Sequence, residues 1–147
     1  MLKRYIPFIL LLAFLGCSKT RYETKPAIKI KSISSSEIHP NQELDVILEY
    51  SDKEGDIGTG ELTYVRDRTN LLPIPDPGSN DIIDTVRYPI PTFPKTISGD
   101  IEVKIPYSYM RETLNDNDTM IFRFTVKDVA GNQSDTIFTG KIIAFQN

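Results

Sequence analysis

Tryptophan is absent from the 147-residue chain, and cysteine and histidine occur once each, as Cys17 and His39. One cysteine excludes an internal disulfide and a cysteine-built metal centre. One histidine makes any Ser-His-Asp arrangement depend on His39 alone. The segment Glu37-Ile38-His39-Pro40-Asn41 reads as a turn between early strands, a poor seat for a catalytic base. No Gly-x-Ser-x-Gly elbow is present, so the chain reads as a non-enzyme. Basic residues are not in excess: 17 Lys and Arg against 20 Asp and Glu give a formal charge of −3. No basic patch is long enough to follow a phosphate backbone, which argues against nucleic acid as a partner. Long apolar runs are also missing. A bilayer span needs about 20 apolar residues, and polar Ser18-Lys19-Thr20-Arg21 interrupts too early.

What is present at the N-terminus is Lys3-Arg4, an apolar run from Tyr5 to Leu15, then Gly16 and Cys17. A basic start, a short apolar core and a small residue before the cut describe a secretory signal over residues 1–16. Phe14-Leu15-Gly16-Cys17 resembles the lipobox of bacterial lipoproteins, with Phe14 where the family usually carries Leu. The resemblance implies a thioether-linked diacylglycerol on Cys17 and an N-terminal acyl chain, and so a lipidated cysteine rather than a thiolate nucleophile. Such acylation exceeds the two signals that stable anchoring requires. Loss of residues 1–16 removes Lys3 and Arg4 and takes the formal charge from −3 to −5. Residues 17–26 read as a polar tether with Lys19, Arg21 and Lys25 and a closing Pro26. Its cations suit anionic headgroups, at about 1 kcal/mol each near the surface. Among lipoproteins of this kind, Ser18 after the cysteine favours the outer membrane. Lys19-Thr20-Arg21-Tyr22, in place of an acidic export cluster, favours the periplasmic leaflet over the cell surface.

From Ala27 onward the hydrophobic period is two. Ile28 and Ile30, then Leu44, Val46, Leu48 and Tyr50, then Ile101, Val103 and Ile105, then Phe122, Phe124 and Val126 alternate with largely polar neighbours. Further strands are expected near 61–66, 82–88 and 136–145, and one short helix within Tyr107 to Leu114. About seven short strands divided by Gly, Pro, Asn and Asp turns predict an all-β domain over residues 27–147, a single antiparallel immunoglobulin-like β-sandwich. Six of the ten prolines fall between Leu72 and Pro94. Proline cannot donate to a ladder, so this stretch should be edge strand and ordered loop. It either blunts an edge against aggregation or forms a stiff partner-binding surface around Tyr88, Ile90 and Phe93.

Two loops carry the sharpest local chemistry. Ser51-Asp52-Lys53-Glu54-Gly55-Asp56-Ile57-Gly58 spaces carboxylates at 52, 54 and 56, an oxygen-only set suited to a hard cation such as Ca²⁺. It is not an EF-hand, because Ile57 and Thr63 stand where that loop needs Gly and an acid. Asp128-Val129-Ala130-Gly131-Asn132 follows a clean strand and reads as a hairpin connection, with Gly131 or Asn132 able to take positive φ. If the strands at 43–50 and 120–127 are B and F of a sandwich, the two loops share a pole. Asp52, Glu54, Asp56, Asp128 and Asn132 then become candidate Ca²⁺ ligands, against the plainer reading of turns held by Asx hydrogen bonds.

The Asp128–Asn132 turn is similar to one found before the last strand of bacterial immunoglobulin-like and cadherin-like modules. Together with the 52–58 loop and Ile97-Ser98-Gly99-Asp100-Ile101, it resembles a family of uncharacterised Bacteroidetes lipoproteins. Asp84-Thr85-Val86, Asp118-Thr119-Met120 and Asp135-Thr136-Ile137 each look like the O-glycosylation acceptor of that phylum, which makes Thr85, Thr119 and Thr136 candidate acceptors. These features together lead to a lipid-anchored, non-catalytic binding or structural accessory module, docked on a protein complex of the outer membrane. One alternative is a glycan-capture lipoprotein of a nutrient-uptake system, although the tryptophan planes that usually hold sugars are missing. Another is a calcium-stabilised adhesion-type module.

Overall fold

The computed structural model describes residues 25–71, 73–74, 76–78 and 80–147. The signal segment, Cys17 and most of the tether lie outside the described residues. Among the described residues there are nine strands: β1 (Ala27–Ile33), β2 (Glu37–Ile38), β3 (Glu43–Ser51), β4 (Glu61–Arg68), β5 (Ile83–Pro89), β6 (Ser98–Pro106), β7 (Asp118–Lys127), β8 (Ile137–Phe138) and β9 (Ile142–Ala144). A single helical turn, α1 (Tyr107–Met110), follows β6.

Alternation settles which way each strand faces. In β3 Leu44, Val46, Leu48 and Tyr50 are buried, and in β7 Met120, Phe122, Phe124 and Val126 are buried. The intervening side chains face outward, as a pleat with one wet side requires. Three strands form one sheet in the order β1-β3-β6, with Val46 opposite Val103 and Leu48 opposite Ile101. The second sheet runs β2-β9-β7-β4-β5, with β8 also paired to β7. Here Tyr64 faces Phe124 and Leu62 faces Val126. The inward sets of both sheets join one apolar cluster, in which each fully buried large side chain contributes roughly 1.5–3 kcal/mol. The chain is all-β in two layers. β1 carries a bulge between Ile30 and Ser32, where the register against β3 shifts by one.

Two expectations need correction. The expected strand at 136–145 is broken into β8 and β9 at Thr139-Gly140-Lys141. The turn proposed over 37–41 begins as a short strand, β2, running parallel to β9. The short helix expected within Tyr107 to Leu114 forms as the single turn α1 and stops at Met110, because the N–H groups of Glu112 and Thr113 donate to Asp118 Oδ2 at 2.8 and 3.0 Å instead of extending the helical ladder. The proline-rich stretch does form the outermost strand of its sheet, β5, whose last residue is Pro89. It then continues as irregular chain to Ile97.

Candidate functional site

β3 and β7 end at the same pole, and their following loops meet there. Gly60, just before β4, makes the meeting close. A Cβ on Gly60 would lie 2.2 Å from the Lys127 carbonyl oxygen, so only glycine lets the two segments approach this far. Val129 N–H then donates to the Asp56 carbonyl at 3.4 Å. Gly55 turns the first loop with φ +65° and Gly131 turns the second with φ +90°.

Carboxylates crowd where the loops touch. One oxygen each from Asp52, Asp56 and Asp128 lies within 4.8 Å of the others. Asp52 and Asp128 are both 3% exposed, and Asp56 is half-buried. Asp52 Oδ2 accepts from the Asp56 N–H at 2.9 Å. Asp128 accepts twice from Asn132, from its N–H at 2.7 Å and its Nδ2 at 2.8 Å. These bonds orient the acids without neutralising them. Asp52 Oδ1 and Asp56 Oδ1 are buried with no hydrogen-bond partner. Removal from water, then the adjacent Asp52 carboxyl and the charge of Asp128, hold the Asp56 carboxyl above the ordinary carboxylate range.

Of the five residues singled out for a cation, three converge. Asn132 stands behind Asp128 as its orienting donor, and Glu54 is exposed. The described chain also begins at this pole: Pro26 is buried, Ala27 pairs with Ser51, and Lys25 Nζ lies 2.5 Å from Asp135.

A second feature lies on the open side between the sheets, where β5 and β6 are the outermost strands. A groove of about 510 Å³ is lined there by Leu62, Tyr88, Ile90, Phe93, Ile101 and Val103, among others. All three residues proposed as a partner surface contribute to it. Tyr88 is 51% exposed and its ring lies 5.9 Å from that of Tyr64. Phe93 is half-buried, with its ring 6.2 Å from Tyr50. Ile90 is buried and forms floor rather than contact surface.

Other singled-out residues are scattered. Thr85 on β5 and Thr136 before β8 are exposed, whereas Thr119 on β7 is half-buried and its Oγ1 accepts from Thr69 Oγ1 at 3.3 Å. His39 stacks on Phe145 at 4.9 Å, and its Nδ1 lies 3.0 Å from the Asn147 carbonyl.

Sequence reasoning missed the far pole. Arg66 and Arg68 occupy inward positions of β4, continuing the face of Leu62 and Tyr64. Arg66 Nη1 donates to Glu112 Oε1 at 2.8 Å, Nη2 donates to the Asn80 carbonyl at 2.7 Å, and the guanidinium covers the Tyr109 ring at 4.7 Å. Arg68 Nη1 lies 2.5 Å from Asp118 Oδ1, and Asp118 is fully buried. Burial lowers the pKa of Arg68, partly opposed by Asp118. The available signal was the strand period itself, which carries the inward face of β4 through two arginines.

No protein-family model matches the chain, and none of the curated proteins matches it. Among solved structures, the soluble domain of PmoD from Methylocystis aligns over 81% of this chain and 90% of its own, at 15% identity and a TM-score of 0.32.

Proposed function

We propose that the chain is a lipid-anchored, non-catalytic accessory module of the outer membrane that docks on a membrane-protein complex through the groove between β5 and β6. The groove carries this reading. It has an apolar floor, an exposed tyrosine at its rim, and an outermost strand on either side. Such edges recognise extended segments by adding them to a ladder, while pockets receive alternate side chains. The strand orders β1-β3-β6 and β9-β7-β4-β5 follow the A-B-E and G-F-C-C′ plan and favour an immunoglobulin-like sandwich. The membrane part of the proposal rests on the signal pattern and Cys17.

Photo-crosslinking in intact cells tests the docking. A crosslinking side chain at Phe93 should capture one outer-membrane protein, and Tyr88→Ala elsewhere in the same chain should weaken that capture severalfold. A crosslinker at Lys29, on the far edge of the other sheet, should not capture it. Equal capture from both positions would refute docking through the groove. Specific retention of the chain by a glycan panel, lost on Tyr88→Ala, would favour the uptake reading instead.

A further inference from the structure

The acidic pole goes beyond docking. Asp52 is buried, its Oδ2 is fixed by the Asp56 N–H, and its Oδ1 is left without a donor. Asp56 Oδ1 is in the same state. A buried carboxylate oxygen without a partner is costly. Here two occur together, and a third carboxylate from the facing loop stands within 4.8 Å. Two oxygens bound to a common Ca²⁺ at about 2.3–2.6 Å lie no more than roughly 5 Å apart, so this spacing is one that a single ion allows. The donor set is oxygen only, with neither imidazole nor thiolate, which selects a hard cation over zinc or copper.

We infer that Asp52, Asp56 and Asp128 form a Ca²⁺ site that ties the loop after β3 to the loop after β7. Asn132 acts as a positioning residue, holding both oxygens of Asp128. The ligands come from two loops rather than one rigid helix, and such a site accommodates the variable coordination of Ca²⁺ better than the strict octahedron of Mg²⁺. A proton shared between Asp52 and Asp56 is the competing resolution. It would still leave Asp128 as an adjacent buried charge.

The test uses the full-length chain, freed of divalent ions with a chelator and then titrated with CaCl₂ alone. Calorimetry should find one Ca²⁺ per chain. At about a hundredfold excess over Kd, Tm should rise by roughly 5–10 °C, and equal MgCl₂ should give a clearly smaller rise. Asp56→Asn removes one charge at a half-buried position and should fold, with a calcium-free Tm at or above that of the wild type. Its calcium shift should be lost. Glu54→Gln should keep the full shift, since Glu54 lies outside the cluster. A wild-type Tm unmoved at roughly 10 mM Ca²⁺, above the range typical of extracellular modules, would overturn the site and favour the shared proton. A shift that survives in Asp56→Asn would overturn it as well. Neither outcome touches the docking reading, because the titration needs no membrane and no partner.

Discussion

Gly60 and the Arg68–Asp118 pair show how single residues set the two poles. At the acidic pole, Gly60→Ala would force its Cβ into the Lys127 carbonyl. The backbone on one side must then move, which should cost about 2–4 kcal/mol. Because the same movement parts the two loops, it should also weaken calcium binding at least tenfold. Chemical denaturation and calcium titration of the same variant check both effects. At the opposite pole, Asp118 accepts from Arg68, from two backbone N–H groups and from Asn70 Nδ2 at 3.2 Å. Asp118→Ala removes the nearest counter-charge of the buried Arg68, leaving only Glu112 at 3.8 Å, and should destabilise by about 3–5 kcal/mol, measured by urea denaturation. This pair was not legible beforehand. Arg66 and Arg68 look like surface residues until the period of β4 is followed past Tyr64. Two of their acceptors, the Asn80 and Asp81 carbonyls, come from the long segment before β5, whose path no local pattern fixes.

At the scale of elements, the broken last strand has a specific remedy. Alongside β7, Ser134 and Thr139 each bond twice to one residue. Ser134 N–H donates to the Val126 carbonyl at 2.8 Å and its Oγ accepts from the Val126 N–H at 3.0 Å. Thr139 does the same with Phe122, at 2.9 Å in both directions. The hydroxyls stand in for the carbonyls a regular strand would offer, and so β7 keeps its buried N–H groups satisfied. Thr139→Val preserves the shape but orphans the Phe122 N–H, and should cost about 1–3 kcal/mol in thermal denaturation. Thr139→Ser should cost less than 1 kcal/mol, since its hydroxyl can still accept. The same substitution by side chains explains why polar and apolar residues over 136–145 are poorly sorted, and why a continuous strand was expected there. β3, β6 and β7 were legible because apolar side chains recur at every second position along most of each, despite Ile47 and Ile121 on the outward side and Asp118 on the inward one. α1 takes only the first turn of the 107–114 window because Asp118 accepts the N–H groups of Glu112 and Thr113.

For the whole molecule, chain entry and the acidic pole coincide. Lys25, Pro26 and Ala27 lie beside Asp52 and Asp135, so a tether running from Cys17 would present the acidic pole towards the bilayer. The meeting of the two acidic loops followed from topology, since strands that pass in the same direction through facing sheets end at one pole. Which carboxylates converge did not follow from sequence. Glu54 and Asp56 flank the Gly55 turn, yet Glu54 is exposed whereas Asp56 is half-buried beside Asp52 and Asp128, a difference that only the folded path of the loop shows. The groove residues Tyr88, Ile90 and Phe93 were legible as a group because prolines surround them, but the contribution of Ile101 and Val103 from the other sheet was not.

In the proposed function, acyl chains on Cys17 hold the β-sheet body at a membrane. Fractionation of cells expressing Cys17→Ser beside the wild type tests this most directly. The wild type is predicted in the outer-membrane pellet and the variant in the soluble fraction. Recovery of both in the pellet in equal proportion would contradict it.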